Sequence, residues 1–187
     1  MTTSTRILLV SLLFVAQLGP AQAAGDRWVD TISLSVGTDD NSIDANVFRL
    51  GIQNRWNRTL FNGGAWFVGG YWDVSLAYLE SDVDNSDLYE VGVTPVLRLQ
   101  RDADLSSGIS PFSEIGIGAH LLSETRLGGH DLDTAVQVGS HLGIGLGFGD
   151  KGRYELTYRF QHLSNVDFGD DNDGVDFHLL KFAYNFE

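Results

Sequence analysis

Residues 136–148 read VQVGSHLGIGLGF, and large apolar residues alternate there with small or polar ones. The apolar parity holds Val136, Val138, Leu142, Ile144, Leu146 and Phe148, and the opposite parity holds Gln137, Gly139, His141, Gly143, Gly145 and Gly147. A period of two is typical of a β-strand whose faces meet different surroundings. The segment therefore predicts a strand with one apolar face and one face of glycine and polar groups.

The same alternation recurs along the chain and predicts strands near 31–37, 45–57, 65–79, 87–100, 110–122, 134–148, 153–164 and 175–186. Polar connectors separate these segments. Large apolar side chains outside and small or charged ones inside are typical of a small membrane barrel, since a soluble barrel has the opposite arrangement. The predicted fold class is all-β, an eight-stranded antiparallel transmembrane β-barrel of the outer-membrane type.

The predicted inward face carries charges of both signs, which are Arg49, Arg55, Arg98, Arg159, Glu90, Glu114 and Glu155. Opposite charges can pair inside a barrel, where an unpaired charge is costly. We therefore interpret this set as structural core and expect a narrow interior of small and polar side chains. A secreted lipocalin-like barrel is an alternative, but a charged, glycine-rich face does not suit an apolar ligand cavity.

Composition limits the function classes. The chain has 187 residues, with 12 Lys plus Arg and 25 Asp plus Glu, for a net charge of −13. A chain this acidic lacks the basic surface that binding to nucleic acid needs. Because cysteine is absent, the sequence excludes disulfides, zinc–thiolate sites and cysteine nucleophiles. We expect one domain, no metal site and no cofactor.

The first residues are typical of a secretory signal. Arg6 precedes the apolar run 7–15, and residues 21–23 read AQA, the small-x-small cleavage pattern. The apolar run is shorter than the roughly 20 residues that a membrane-spanning helix needs. We expect residues 1–23 to be a cleaved signal peptide and residues 24–187 to form a single outer-membrane β-barrel domain.

Polar residues interrupt the predicted lipid face near its end. His162 and Ser164 continue the parity of the apolar and aromatic residues before them, and Asp176 and His178 occupy the corresponding face of the last segment. The two segments form an antiparallel hairpin, and any register that pairs even with even positions can bring Asp176 beside His162. Polar groups that face lipid are costly and usually functional.

A hydroxyl, an imidazole and a carboxylate on one face suit ester hydrolysis. Ser164 would attack a carbonyl, His162 would take its proton, and Asp176 would hold the imidazole tautomer. Asn165 is the candidate oxyanion donor, through its backbone N–H or its side chain. His-x-Ser alone is a weak signal, because polar residues also occur where a strand leaves the membrane. His178 is the rival base but has no serine partner on its strand.

The other three histidines have structural interpretations. His120 and His141 have inward parity, so internal hydrogen bonds explain them, and His130 lies in a glycine-rich loop. The predicted outer loops are acidic, and we interpret them as a hydrated rim rather than a cation site.

Residues 162–165, HLSN, followed by residues 172–176, NDGVD, resemble the lipid A 3-O-deacylase (PagL) family, whose motif is His-x-Ser-Asn followed by Asn-x-Gly and an acidic residue. The similarity extends upstream through 111–120 and 141–149. It implies an eight-stranded outer-membrane barrel with a catalytic triad on its lipid-facing wall. On matching positions the nucleophile is Ser164, the base is His162, and the acid is Asp176, where the family more often has Glu. Asp170 and Asp173 are alternative acids, although parity and spacing favour Asp176.

This resemblance implies that the chain hydrolyses the 3-O-linked acyl chain of lipid A, with lipopolysaccharide in the outer leaflet of the cell outer membrane as its partner. With both termini in the periplasm, the triad lies at the level of that leaflet. A homodimer is a further partner that the sequence allows. Two alternatives are a non-enzymatic structural or adhesion barrel, in which His162 and Ser164 are rim residues, and a lipid A acyltransferase.

Overall fold

The computed structural model of the chain describes residues 28–40, 43–62, 64–101, 108–165 and 174–186. The expected signal peptide and the alternative acids Asp170 and Asp173 lie outside these residues. The described part forms eight long strands, whose ends lie within two residues of the predicted ones. They are β1 (Thr31–Asp39), β2 (Ala45–Arg55), β3 (Trp66–Ser81), β4 (Ser86–Arg101), β5 (Ile109–Leu122), β6 (Val136–Phe148), β7 (Tyr154–Ser164) and β8 (Val175–Asn185).

These strands close into one antiparallel barrel, which confirms the predicted fold class. Each strand pairs with its neighbours in the chain, and β1 pairs with β8 from Thr31↔Asn185 to Asp39↔Phe177. Closure leaves no edge of unpaired backbone groups, which hydrocarbon could not satisfy. The end that holds Thr31 and Asn185 is called the terminal end below, and the opposite end is called the distal end.

Minor elements lie at the two ends of the barrel. Phe61–Asn62 pairs with β3, Arg126–Leu127 pairs with His130–Asp131, and a 3-10 turn at Asp150–Gly152 joins β6 to β7. Among the described residues no helix has the length and apolar character needed to cross a bilayer.

Side-chain exposure alternates along the strands as predicted. The outer wall presents large apolar residues, of which Leu50, Leu142 and Ile144 are 60–66% exposed, while Arg49, Gln53 and Arg159 on the opposite face are buried. So much exposed apolar surface would be a liability in water but suits contact with hydrocarbon.

The middle of the interior is charged and electrically balanced. Among the described residues the buried cations are Arg49, Arg98, Arg159 and Lys181, and the buried carboxylates are Asp73, Glu90, Glu114 and Glu155. Glu114 accepts hydrogen bonds from Arg98 at 3.1 Å, Arg159 at 2.7 Å and Lys181 at 3.2 Å. The expected pairing of interior charges is therefore present. Arg55 differs from the expectation, because it lies at the exposed end of β2.

The distal interior contradicts the expectation of small and polar side chains throughout. An apolar plug fills it, made of Ile43, Ala45, Val47, Ala77, Leu79, Leu88, Leu122, Leu127, Leu132, Leu163, Val175, Phe177 and Leu179. Apolar packing is favoured here because a loop covers the mouth and keeps water from the side chains. Leu163 and Val175 are direct cross-strand partners within the plug, so the plug holds the distal ends of β7 and β8 together.

The covering loop, residues 123–135, is tied to the β3–β4 turn. Gly128 N–H donates to Ser86 Oγ at 2.9 Å, and Gly129 N–H donates to Asp84 at 3.0 Å. The hydroxyl of Ser86 also donates a hydrogen bond to Asp84. The hydrogen bonds that Asp84 accepts, chiefly the one from the Ser86 hydroxyl, hold the pKa of Asp84 below its ordinary value. The loop therefore closes the distal mouth through specific polar contacts.

Candidate active site

His162 and Asp176 face each other on the outer wall near the distal end. They are direct partners in the β7–β8 ladder, so the pairing joins even with even positions. His162 Nδ1 lies 2.6 Å from Asp176 Oδ1, and the two side chains are 45% and 29% exposed. Directly opposed residues of an antiparallel pair lie close enough for such contact. The barrel thus places an imidazole–carboxylate pair on a wall that is otherwise largely apolar.

This contact defines the protonation pattern of the imidazole. An ionised carboxylate is a hydrogen-bond acceptor, so His162 donates its Nδ1–H to Asp176. In the neutral ring Nε2 then carries no proton and is the acceptor. The pair is therefore arranged so that Nε2 can take a proton while the carboxylate stabilises the cation that results.

Gly174 explains how the imidazole edge stays open. Its φ is +56°, a left-handed conformation that strongly favours glycine. A Cβ at this position would lie 3.0 Å from Cε1 and 3.5 Å from Nε2 of His162. Gly174 was not predicted to be a site residue, and its position in the motif, two residues before Asp176, is the signal that could have indicated its role.

Ser164 lies at the end of β7 on the same parity as His162, and it is 8% exposed. Two residues along a strand separate the Cα atoms by about 6.6 Å. Within the described part of the chain no hydrogen bond joins the Ser164 hydroxyl to His162. A hydrogen bond between Ser164 and His162 is thus not formed here, whereas the contact between His162 and Asp176 is. Serine rotates readily between staggered positions, and catalytic hydrogen bonds often tighten when substrate binds.

Asn165 follows Ser164, and its side chain is directed to the interior. The residue is 1% exposed, and its Nδ2 lies 3.5 Å from the carbonyl oxygen of Leu132 in the covering loop. The sequence predicts two groups of Asn165 as candidate oxyanion donors, the side-chain amide and the backbone N–H. The side-chain amide contacts the covering loop, and the backbone N–H is next to Ser164 in the chain.

His178 is engaged elsewhere on the outer wall. Its Nδ1 bonds the hydroxyl of Tyr158, and its Nε2 lies 3.6 Å from Asp40 Oδ1. Its cross-strand partners are Phe160 on one side and Thr38 on the other. The hydroxyl that it contacts is the phenol of Tyr158 and not a serine hydroxyl. This arrangement does not favour His178 as the base for Ser164. The contacts of His178 with Tyr158 and Asp40 were not predicted from the sequence, although Tyr158 shares the parity of His162.

The expected internal hydrogen bonds are present for one of the two interior histidines. His120 Nδ1 lies 2.7 Å from Glu90 Oε1, whereas the buried Nε2 of His141 has no hydrogen-bond partner among the described residues. The expectation was therefore wrong for His141. In the described ranges no three His, Asp or Glu side chains are grouped so that they could hold a metal ion. A cavity of about 520 Å³ opens at the terminal end, where Arg55, Arg98 and Glu155 line it. It lies far from the outward polar groups of the distal end.

Comparison with known proteins adds independent findings. A sequence model of the family described as lipid A 3-O-deacylase (PagL) matches residues 46–185. The chain is 27% identical over 174 residues to the lipid A deacylase PagL of Pseudomonas aeruginosa, which covers 93% of this chain and 96% of that protein. It is 33% identical over 75 residues to the lipid A deacylase PagL of Bordetella bronchiseptica, covering 40% of this chain and 41% of that one. The crystal structure of the outer membrane enzyme PagL is similar, with a TM-score of 0.74 and 26% identity, covering 83% of this chain and 99% of that chain.

Proposed function

The chain belongs to the lipid A 3-O-deacylase (PagL) family, and from that premise we propose that it is an outer-membrane esterase that removes the 3-O-linked acyl chain of lipid A. The observation that carries the proposal is the His162–Asp176 contact of 2.6 Å on the lipid-facing wall. Such a pair is costly where it meets hydrocarbon, and it is the part of a hydrolase that makes a hydroxyl nucleophilic.

The proposed reaction uses three side chains and water. Ser164 Oγ attacks the ester carbonyl while His162 Nε2 takes its proton, and Asp176 stabilises the imidazolium. The tetrahedral intermediate then collapses, and the sugar hydroxyl leaves with the proton from His162. Water, activated by the same imidazole, hydrolyses the acyl–serine ester and regenerates the enzyme. The backbone N–H of Asn165 is the proposed donor to the oxyanion.

A lipid-facing site suits this substrate. The acyl chain can remain beside the apolar wall below the site while its ester reaches Ser164. With the terminal end in the periplasm, the distal end and the site lie at the outer leaflet, where lipopolysaccharide resides. The proposal includes residues 1–23 as a cleaved signal peptide and residues 24–187 as one barrel domain, with no cofactor.

Mass spectrometry of lipid A from whole cells separates this function from its alternatives. It should show loss of one acyl chain when the wild type is expressed and no loss with Ser164→Ala or His162→Ala. Ser110→Ala, which removes a serine hydroxyl at the terminal end, is the matched control and should leave deacylation intact. Heat-dependent electrophoretic mobility reports whether each barrel is folded.

The outcomes distinguish the deacylase from the two alternatives, the structural or adhesion barrel and the lipid A acyltransferase. Deacylation by a folded Ser164→Ala barrel would remove the serine from the mechanism. Unchanged lipid A in cells with the wild type would favour the structural or adhesion barrel, and a gained acyl chain would indicate acyl transfer.

A further inference from the structure

The cavity of about 520 Å³ at the terminal end, called the terminal cavity below, has no part in the proposed deacylation. Its volume is within the range of small-molecule binding sites. Gly69 and Gly147 line it from the inward faces of β3 and β6. A Cβ at either position would meet no atom closer than 3.6 Å. The two glycines therefore leave open space inside the mouth of the barrel.

The charged side chains around the terminal cavity are mostly cations. They are Arg55 at the end of β2, Arg58 in the connector that follows, Arg98 and Arg101 on β4, and Lys151 in the turn between β6 and β7. Glu155 is the carboxylate in the described lining, and its Oε1 already accepts hydrogen bonds from Arg98 at 2.8 Å and from Asn185 at 3.1 Å. Among the residues that the structure describes, the other four cations form no ion pair with a carboxylate. The cavity therefore carries an excess of positive charge.

This excess stands out in a chain whose net charge is −13. At the distal end, by contrast, the cation of the covering loop is neutralised, because Arg126 pairs with Asp131 at 3.2 Å. Cations that converge on one cavity repel one another, and a cleft lined by one sign of charge raises the local concentration of counter-ions. An anion inside the terminal cavity would offset the repulsion and accept hydrogen bonds from the guanidinium groups.

The number and type of the cations favour phosphate over carboxylate. A guanidinium group presents its donors in a planar fork that matches pairs of phosphate oxygens. A terminal phosphate carries about −1.5 to −2 charges at neutral pH and three acceptor oxygens, whereas a carboxylate has one charge and two oxygens. The rings of Phe67 and Phe112 also line the cavity, so its wall offers apolar contact to an organic group attached to the phosphate.

We propose that the terminal cavity is a binding site for a terminal phosphate group, held by Arg58, Arg101 and Lys151. With the terminal end in the periplasm, the phosphate has two sources, a phospholipid headgroup of the periplasmic leaflet or soluble inorganic phosphate. The site lies at the opposite end of the barrel from Ser164, so this inference goes beyond the proposed deacylase function and does not depend on it.

The test is a calorimetric titration of the folded chain in micelles of a neutral detergent at about 0.15 M salt. One probe is inorganic phosphate, and the other is 1,2-dihexylglycerol 3-phosphate, a lipid analogue whose ether links resist hydrolysis. We expect saturable binding of the phosphate-bearing lipid and none of 1,2-dihexylglycerol, which lacks the phosphate. Tighter binding of the lipid probe than of inorganic phosphate would identify a headgroup as the source, and equal or weaker binding would identify the soluble ion.

Substitutions assign the binding to the cavity. The double variant Arg58→Gln and Arg101→Gln should weaken it at least tenfold, because loss of one charge-assisted hydrogen bond lowers an affinity by about ten- to a hundredfold. Gly147→Leu fills the cavity without a change of charge and should weaken binding to a similar extent, so it decides the matter if the double variant does not fold. Arg126→Gln removes an exposed cation at the distal end and is the matched control.

Several results would overturn the phosphate site. They are a wild type that binds neither phosphate probe, equal binding of the lipid without phosphate, undiminished affinity in the folded double variant, and an equal loss of affinity in Arg126→Gln. Heat-dependent electrophoretic mobility reports whether each barrel is folded.

Discussion

Replacement of Asp176 by asparagine tests the proposed mechanism most directly. Asparagine has nearly the shape of aspartate but no charge, so the β7–β8 ladder is expected to persist. The amide can also present its NH₂ group to His162 Nδ1, which stabilises the tautomer that carries its proton on Nε2. That tautomer cannot accept the proton of Ser164. We therefore expect Asp176→Asn to lower kcat while the barrel stays folded.

The size of the loss follows from the geometry of the contact. Two charges about 4 Å apart attract by about 1 kcal/mol in water and about 4 kcal/mol at an effective dielectric constant of 20. The side chains of His162 and Asp176 are 45% and 29% exposed, so we take an intermediate value of about 2–3 kcal/mol. Each 1.36 kcal/mol is tenfold in rate, which gives a roughly 30- to 150-fold lower kcat. A reversed tautomer would increase the loss toward about 10⁴-fold.

The assay measures acyl-chain release from lipid A in detergent micelles by the wild type, Asp176→Asn and Asp176→Glu. Glutamate keeps the charge and adds one methylene, so its rate should remain within about tenfold of the wild type. Heat-dependent mobility and the midpoint of urea unfolding control for folding. If the asparagine variant is folded and deacylates within about threefold of the wild type, the carboxylate has no part in the reaction.

Three further substitutions test other contacts. Gly174→Ala places a Cβ 3.0 Å from His162 Cε1 at a φ of +56°, so we expect kcat to fall by about tenfold or more, and an unchanged kcat in micelles would contradict this role of the glycine. Glu114→Gln leaves Arg159 and Lys181 without their shared carboxylate, which should lower the free energy of unfolding in lipid vesicles by about 3–5 kcal/mol. Equal urea midpoints would show that this ion pairing does not stabilise the barrel. Leu163→Ala opens a void in the apolar plug beside the proposed site and should cost about 2–5 kcal/mol in the same assay; a loss below about 1 kcal/mol would mean that the plug collapses around it.

The strands and their faces could be predicted because they depend on local pattern. Large apolar residues alternate with glycine or polar residues along 136–148, and in a strand successive side chains point to opposite faces. Parity alone therefore placed Leu142 on the lipid side and His141 inside, as the structure does. The same reasoning put His162, Ser164 and Asp176 on one face.

Parity decides on which side a residue lies but not which residues of other strands contact it. The plug was missed because its residues come from several strands and from the covering loop, although Leu79 and Leu163 have inward parity. In the same way, Asp40 reaches His178 through the closure of β1 against β8, and Lys181 joins Glu114 across the interior.

The sequence by itself determined the number of strands, the apolar outer wall and the positions of the candidate triad, since each follows from the two-residue period and a short motif. The tertiary structure decided the register that sets Asp176 opposite His162, the packing of Gly174 against the imidazole and the partnership of His178 with Tyr158. These contacts depend on how strands pair and close into a ring, and no local pattern of residues contains that information.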